Sequence, residues 1–186
     1  MRRRMMAALM TLLLAIPLAA CGKDAAREAF EELRASMLDS DAELTADVTA
    51  YAQDGTQLEY GLECTSGAES SEVEATAPEL ISGVRARIEA GSAKVEYEGL
   101  MLDAGEVSKG LSPVTALPRL CEAIREAYVE LAWTEGGESV VSLVPEDETA
   151  ITLRLDGNGL PVSAEFTSRE SGKTLILCRI EGFALV

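Results

Sequence analysis

The sequence predicts an α+β domain in which a strongly curled antiparallel sheet, a half-barrel of about nine strands, holds two helices in its concave face. Short runs of alternating apolar and polar residues recur along the chain, turn residues separate them, and only two stretches have apolar residues at helical spacing. Because two helices cannot cover both faces of so many antiparallel strands, the sheet must curl and bury one face on itself and on the helices.

The first helical stretch is 24–38. Its apolar residues recur every three or four positions, and charged residues occupy the other sides. The apolar positions are Ala26, Phe30, Leu33 and Met37. This pattern predicts an amphipathic helix at the start of the domain.

Five strands are predicted between the two helices, and they are 44–51, 58–64, 72–77, 81–89 and 94–99. Asp54-Gly55 is a typical hairpin turn between the first two strands. The third run stops at Pro78, which lacks a backbone donor. The fourth run also fits a helix, but Gly83 and the turn at 90–92 favour a strand.

A glycine-rich loop, 99–110, precedes the second helix. Ser112-Pro113 is a typical helix start, since the hydroxyl caps the first turn and proline suits it. We expect Pro118 to break or kink the helix, which then continues to about Ala132. Its apolar stripe comprises Leu117, Leu120, Cys121, Ile124, Tyr128 and Leu131, with Trp133 at the end.

Four further strands are predicted after this helix, and they are 138–144, 149–155, 160–168 and 173–183. The turns Asp156-Gly157-Asn158-Gly159 and 169–172 join the last three. Residues 21–186 suffice for a single domain with a sizeable core.

The first twenty residues differ in composition from the rest. Arg2, Arg3 and Arg4 form a basic start, and the apolar stretch 5–20 is shorter than the roughly 20 residues that a spanning helix needs. We interpret residues 1–20 as a secretory signal peptide. The alternatives are an ordinary signal followed by a coincidental cysteine, and an apolar anchor that stays uncut.

The signal ends in Leu18-Ala19-Ala20-Cys21-Gly22, which resembles the lipobox of bacterial prolipoproteins. The resemblance implies that a diacylglyceryl group joins the Cys21 thiol before cleavage on its N-terminal side. Two or more acyl chains hold a protein stably at a membrane. We therefore expect residues 21–186 to be lipid-anchored on the extracytoplasmic face of the cell membrane.

The mature chain is strongly acidic. Removal of Arg2, Arg3 and Arg4 with the signal leaves 13 basic and 32 acidic residues, a net charge of −19. This charge repels nucleic acid and anionic headgroups, so we expect no nucleic-acid partner and a membrane contact through lipid on Cys21 alone. The acids are dispersed, which is typical of a solvated surface; a calcium-binding surface or a cationic partner is the alternative.

No pattern predicts catalysis or a metal site. The chain has no histidine, the usual base of serine and cysteine hydrolases and the commonest metal ligand. Cys64, Cys121 and Cys178 match neither zinc-site nor CxxC spacing, and we interpret them as buried apolar residues. Cys64 and Cys178 could form a disulfide only if their strands are neighbours. We expect no enzyme and no resident cofactor.

The order of helix, five strands, helix and four strands behind a lipobox resembles the LolA/LolB-like superfamily of lipoprotein carriers and related bacterial lipoproteins. The segment 111–118 with Tyr128 and Trp133 is similar to a group of small lipoproteins of this class. The resemblance implies a curled sheet that binds acyl chains, with a lipid or lipoprotein ligand. The candidate cavity-lining residues are Leu117, Leu120, Ile124, Tyr128 and Trp133.

Two functional hypotheses follow. An anchored binding module for an acyl chain or another apolar ligand predicts a hollow interior. A structural or interaction lipoprotein, acting as partner or sensor in an envelope complex, predicts a filled interior. An enzyme using two carboxylates or a free cysteine has the least support, since it needs acids clustered in a cleft with raised pKa values.

Lipidation at Cys21 is tested by growing cells that express the chain with radiolabelled palmitate. We expect label on the wild-type protein and none on the Cys21→Ser variant, because the serine hydroxyl does not replace the acceptor thiol. Cys64→Ser is the control and keeps the label. Palmitate on Cys21→Ser would contradict the lipobox interpretation.

Overall fold

The computed structural model describes residues 17–52, 54–89, 92–97, 100–106, 111–145 and 148–186. The helices are α1 (Pro17–Leu38) and α2 (Pro113–Glu126), with a short 3-10 helix at Glu79–Ile81. The strands are β1 (Ala42–Tyr51), β2 (Gln57–Ser66), β3 (Ser70–Ala77), β4 (Arg85–Glu89), β5 (Ser92–Tyr97), β6 (Leu100–Glu106), β7 (Tyr128–Glu135), β8 (Glu138–Val144), β9 (Thr149–Leu155), β10 (Pro161–Ser168) and β11 (Thr174–Leu185).

All the strands belong to one antiparallel sheet in the order β6-β5-β4-β3-β2-β1-β11-β10-β9-β8-β7. Strands that follow one another in each half pair directly, and β1 with β11 joins the two halves at the centre. The sheet is open, with β6 and β7 at its edges. The predicted α+β architecture, a curled sheet with two helices, is confirmed.

The described part of the sheet has eleven strands, two more than predicted. One is β6 (Leu100–Glu106), which was predicted as a glycine-rich loop. The other is β7 (Tyr128–Glu135), which was predicted as the end of the second helix. The turn between β7 and β8 is Gly136-Gly137, with φ of 63° and 92°, and a Gly-Gly pair between two alternating runs is a typical hairpin signal.

The helix boundaries also differ from the prediction. The helix α1 begins at Pro17, before the predicted start at Asp24, and its backbone runs through Cys21. The helix α2 ends at Glu126 and continues through Pro118 without the expected break. Capping and burial both hold the turns that Pro118 weakens. Ser112 caps the first turn as predicted, and Leu117 and Leu120, on either side of the proline, are fully buried.

The core lies between the inner face of the sheet and the helices. Along β1, Ala42, Leu44, Ala46 and Val48 are buried while the intervening residues are exposed, as the alternating pattern predicts. On α1 the predicted stripe of Ala26, Phe30, Leu33 and Met37 is buried. Within the described ranges, no helix combines the length and apolarity that crossing a bilayer requires.

Truncation of a helix side chain in this core tests the packing. Phe30→Ala should lower the free energy of unfolding by about 3–5 kcal/mol, because it removes a fully buried ring and leaves a cavity. Urea unfolding measures the change. Leu80→Ala is the control: its side chain is 88% exposed, and a change near that of Phe30→Ala would contradict the assigned packing.

Candidate functional site

The five candidate cavity-lining residues do not share one surface. Leu117, Leu120 and Ile124 are fully buried on α2, where they belong to the core. Tyr128 lies on β7 and is 70% exposed, and Trp133 lies on the same strand. The expected stripe that continues from α2 to Tyr128 and Trp133 is therefore wrong, because the helix ends at Glu126 and alternation replaces helical spacing.

Trp133 lies on the outer face of the sheet. Ala132 pairs with Val141 and Trp133 pairs with Val140, and Val141 pairs in turn with Leu153 of the buried inner row. Since successive residues of a strand face opposite sides, Trp133 points away from the helices.

The two helices are joined near their C-terminal ends by two arginines. From α1, Arg34 donates its Nε to the carbonyl of Ile124 at 2.7 Å and its Nη2 to the carbonyl of Ala127 at 2.7 Å. From α2, Arg125 donates its Nε to the carbonyl of Met37 at 3.0 Å. Each arginine thus meets carbonyls that the last turn of the other helix leaves without a helical partner, where the helix dipole favours a cation.

Arg125 also binds the sheet. Its Nη2 donates to the carbonyl of Ser66 at 2.7 Å and its Nη1 to the hydroxyl of Ser66 at 3.2 Å. Ser66 is buried at the end of β2, and Ser71 of β3 donates to its hydroxyl. We call Arg34, Arg125 and Ser66 the arginine clip, because they join α1, α2 and β2 at one place.

Arg34 has further contacts on its own helix. Its guanidinium carbon lies 4.6 Å from the centroid of the Phe30 ring, a cation–π distance, and its Nη1 lies 3.7 Å from the carboxylate of Glu31. These contacts orient the guanidinium toward α2. Contacts on α1 and hydrogen bonds to α2 therefore both hold the guanidinium of Arg34 in place.

The thiols of Cys64, Cys121 and Cys178 are free and buried in the core. Burial raises the pKa of Cys121 to about 11, against a hydrogen bond from Ser66 and the charge of Arg125. Burial also raises the pKa of Cys178 to about 12 and raises that of Cys64. Cys64 and Cys178 cannot bridge, because β1 separates their strands. At neutral pH these protonated thiols are poor nucleophiles.

Two hollows that described residues line lie on the outer face of the sheet. The larger has a volume of about 510 Å³, and the smaller one, beside it, has about 160 Å³. The polar lining of the larger hollow includes Glu43, Thr45, Glu63, Thr65, Glu72 and Glu74. None of the five candidate residues lines either hollow. Among the described side chains, no group of three or more histidines, cysteines or acids is placed to hold a metal ion.

No family model and no curated protein sequence matches the chain. Three solved structures are similar to the chain. A DUF1329 family protein from Desulfovibrio piger has a TM-score of 0.51 and 10% identity, covering 88% of this chain and 93% of that chain. An uncharacterized conserved protein from Thermus thermophilus has a TM-score of 0.50 and 13% identity, covering 87% and 88%.

The third structure is a LolA superfamily protein from Nitrosomonas europaea, with a TM-score of 0.48 and 14% identity, covering 87% of this chain and 93% of that chain. The chain shares its fold with the proteins from Desulfovibrio piger and Thermus thermophilus. At these identities the likeness concerns the fold alone.

Sequence reasoning missed the arginine clip. The signal for Arg125 was present, because a basic residue in the last turn of a helix is typical of a C-terminus, but the helix was predicted to end six residues later. Arg34 carries no comparable signal. Its partners are carbonyls of α2, which lie about 90 residues away in sequence.

The buried thiols predict a loss of stability at alkaline pH. The folded chain holds the protons of Cys121 and Cys178 above pH 9, where the unfolded chain releases them, so the unfolded state binds fewer protons. The stability is complete below about pH 9 and falls as the pH rises toward the folded pKa values of about 11 and about 12.

Urea unfolding between pH 8 and pH 11 measures this effect. The double variant Cys121→Ala, Cys178→Ala should show a shallower decline than the wild type, whatever its stability at pH 8. Leu120→Val is the control, since it perturbs the same core and keeps both thiols. An equal decline in the double variant would contradict the assigned pKa direction.

Proposed function

We propose that the chain is a membrane-anchored extracytoplasmic lipoprotein that acts as an interaction module, with lipid on Cys21 and a filled interior. The burial of the core side chains of the helices is the observation that carries the second half of this proposal. Phe30, Leu117, Leu120 and Ile124 are fully buried between the helices and the sheet. The two hollows described above lie on the polar outer face, which is the surface that this proposal assigns to a partner.

The anchor half of the proposal rests on the lipobox and on the course of α1. The backbone is already helical at Cys21, and the same helix packs into the core from Ala26 onward. An acyl group on Cys21 would therefore hold the domain close to the membrane without a long tether. The strongly acidic surface faces away from anionic lipid by charge repulsion.

A second candidate function is the binding of an acyl chain beneath α2. The arginine clip favours it, because the two helices are held over an apolar sheet face by side-chain contacts to backbone carbonyls. Displacement of α2 would expose the aliphatic side chains of the core. In this candidate the filled interior is the closed state of a binding site.

Native mass spectrometry of the protein extracted from membranes distinguishes the two candidate functions, the interaction module and the binding of an acyl chain. The interaction module should carry only the covalent acyl groups on Cys21. A further, noncovalently bound lipid would contradict the filled interior and support the second candidate. The Cys21→Ser variant, purified without an anchor, is the matched control, since any lipid that it carries lies in the body of the domain.

Substitution of the two arginines of the arginine clip also distinguishes the two candidate functions. Under the second candidate, Arg34→Met with Arg125→Met should increase the uptake of a fluorescent fatty acid, because α2 loses its side-chain contacts. Under the interaction module, the double variant loses stability in urea and gains no binding. Arg87→Met, on an exposed position of β4, is the control for loss of positive charge.

A further inference from the structure

Cys64 of β2 and Cys121 of α2 lie on facing surfaces of the core. Both side chains are buried in one apolar cluster between the helices and the inner face of the sheet. Ser66, two positions after Cys64, lies on the same buried face of the strand. Arg125, four positions after Cys121, lies on the same side of the helix. The residues Cys64 and Ser66 therefore form one surface, and Cys121 and Arg125 form the surface opposite.

The arginine clip brings these two surfaces together. Nη2 of Arg125 donates to the carbonyl of Ser66 at 2.7 Å, and its Nη1 donates to the Ser66 hydroxyl at 3.2 Å. The hydroxyl of Ser66 in turn donates a hydrogen bond to the thiol of Cys121. Residues two apart on one face of a strand are separated by about 7 Å. The thiols of Cys64 and Cys121 are therefore neighbours across the contact of α2 with β2.

The electrostatics of the thiols agree with this placement. Burial is the main cause of the raised pKa of Cys64, and a charge on Cys121 raises this pKa by more than the charge of Arg125 lowers it. Because the interaction of two charges weakens with distance, the sulfur of Cys121 lies nearer to Cys64 than the guanidinium does. For Cys178, burial is the cause of the raised pKa. The thiol that Cys121 acts on is therefore that of Cys64.

The third thiol, that of Cys178, occupies a different part of the core. Along β1, Ala42 pairs with Ser66 of β2, and Val48 pairs with Cys178 of β11. These two rows are six positions apart, which is about 20 Å along a strand. The other two thiols lie toward the Ser66 row, and a disulfide requires Cα atoms about 4.4–6.8 Å apart. Cys178 is too far away to pair with either of them.

Small side chains line the contact of α2 with the sheet. Ala116 and Ala123 of α2 and Ala42 and Ala46 of β1 belong to the same buried cluster as the thiols. The distance between packed elements is shorter where the side chains at the contact are small. The alanines therefore favour the short separation that a bond between two cysteine side chains requires.

We propose that Cys64 and Cys121 are the site of a disulfide bond between β2 and α2, which forms as the chain folds in the presence of a disulfide oxidant. Cys178 remains the free thiol. The structure, in which these thiols are free, is the reduced form. The bond lies beside the arginine clip and cross-links α2 to the sheet. The presence of an oxidant in the cell rests on the proposed extracytoplasmic location, where disulfides persist.

Oxidised glutathione represents the class of oxidant. The thiolate of one cysteine attacks a sulfur of oxidised glutathione and releases one glutathione as a thiolate. The thiolate of the second cysteine attacks the protein sulfur of this mixed disulfide, which closes the protein bond and releases the second glutathione. The protein thiols lose two protons and two electrons, and two glutathione thiols form. Because burial keeps both cysteines protonated in the folded chain, the exchange takes place before the core closes.

Refolding of the Cys21→Ser protein from urea with oxidised glutathione tests the pairing. This variant keeps the other three cysteines and removes the acceptor thiol of the lipid. After alkylation of the remaining thiols, mass spectrometry of an unreduced digest should show the peptides of Cys64 and Cys121 joined, and Cys178 alkylated. A joined peptide that contains Cys178, glutathione adducts alone, or no joined peptide overturns the proposal.

Urea unfolding of the refolded protein tests the cross-link. The oxidised protein should unfold at a higher urea concentration than the same protein reduced with dithiothreitol, because the bond restricts the unfolded chain. Cys178→Ser, made in the Cys21→Ser protein, is the control and should show the same rise. Cys121→Ala in that protein should show no rise, whatever its stability when reduced. A rise in Cys121→Ala, or none in the protein with all three thiols, contradicts the cross-link.

The source of a failure can be identified. The palmitate experiment reports on Cys21, and the refolding experiment reports on the thiols of the core. A chain without palmitate label that still joins Cys64 to Cys121 refutes the anchor and supports the disulfide. A labelled chain that joins no cysteines keeps the anchor and refutes the disulfide.

Discussion

The structure depends on covering one apolar face of a large sheet with only two helices. The strands β1–β3 and β7–β11 present an inner row of apolar side chains, and α1 and α2 must shield it. Hydrophobic burial pulls the helices onto the sheet but is not directional. The arginine clip supplies direction, because Arg34 and Arg125 each satisfy the last carbonyls of the opposite helix, and Arg125 also binds Ser66 on β2. The helix ends are thereby fixed relative to each other and to the sheet.

This arrangement explains why the buried thiols are unreactive at neutral pH. The thiols lie among apolar side chains, where burial raises their pKa values and keeps them protonated. The guanidinium of Arg125 is engaged with the carbonyls of Met37 and Ser66 and with the hydroxyl of Ser66. The polar and charged side chains that remain available lie on the outer face and at the edges of the sheet. The proposed function therefore assigns recognition of a partner to the surface.

The sequence predicted the correct elements where the spacing of the apolar residues fitted only one type of secondary structure. The alternation along β1 and the helical spacing of Phe30, Leu33 and Met37 each gave the correct element and the correct buried face. It failed at β7, where Ile124, Tyr128 and Leu131 happen to continue the helical spacing of α2. The bulge at Glu130 hid the alternation that would have revealed a strand, although the Gly136-Gly137 turn pointed to a hairpin.

The sequence by itself determined the class of fold and the buried faces of its main elements, and it predicts a lipoprotein signal at residues 1–20. These properties follow from local patterns, since side-chain period and turn chemistry act within a few residues. Only the tertiary structure decided the pairing of β1 with β11 and the arginine clip. Each of these joins groups that are distant in sequence, so neither is written in a local pattern.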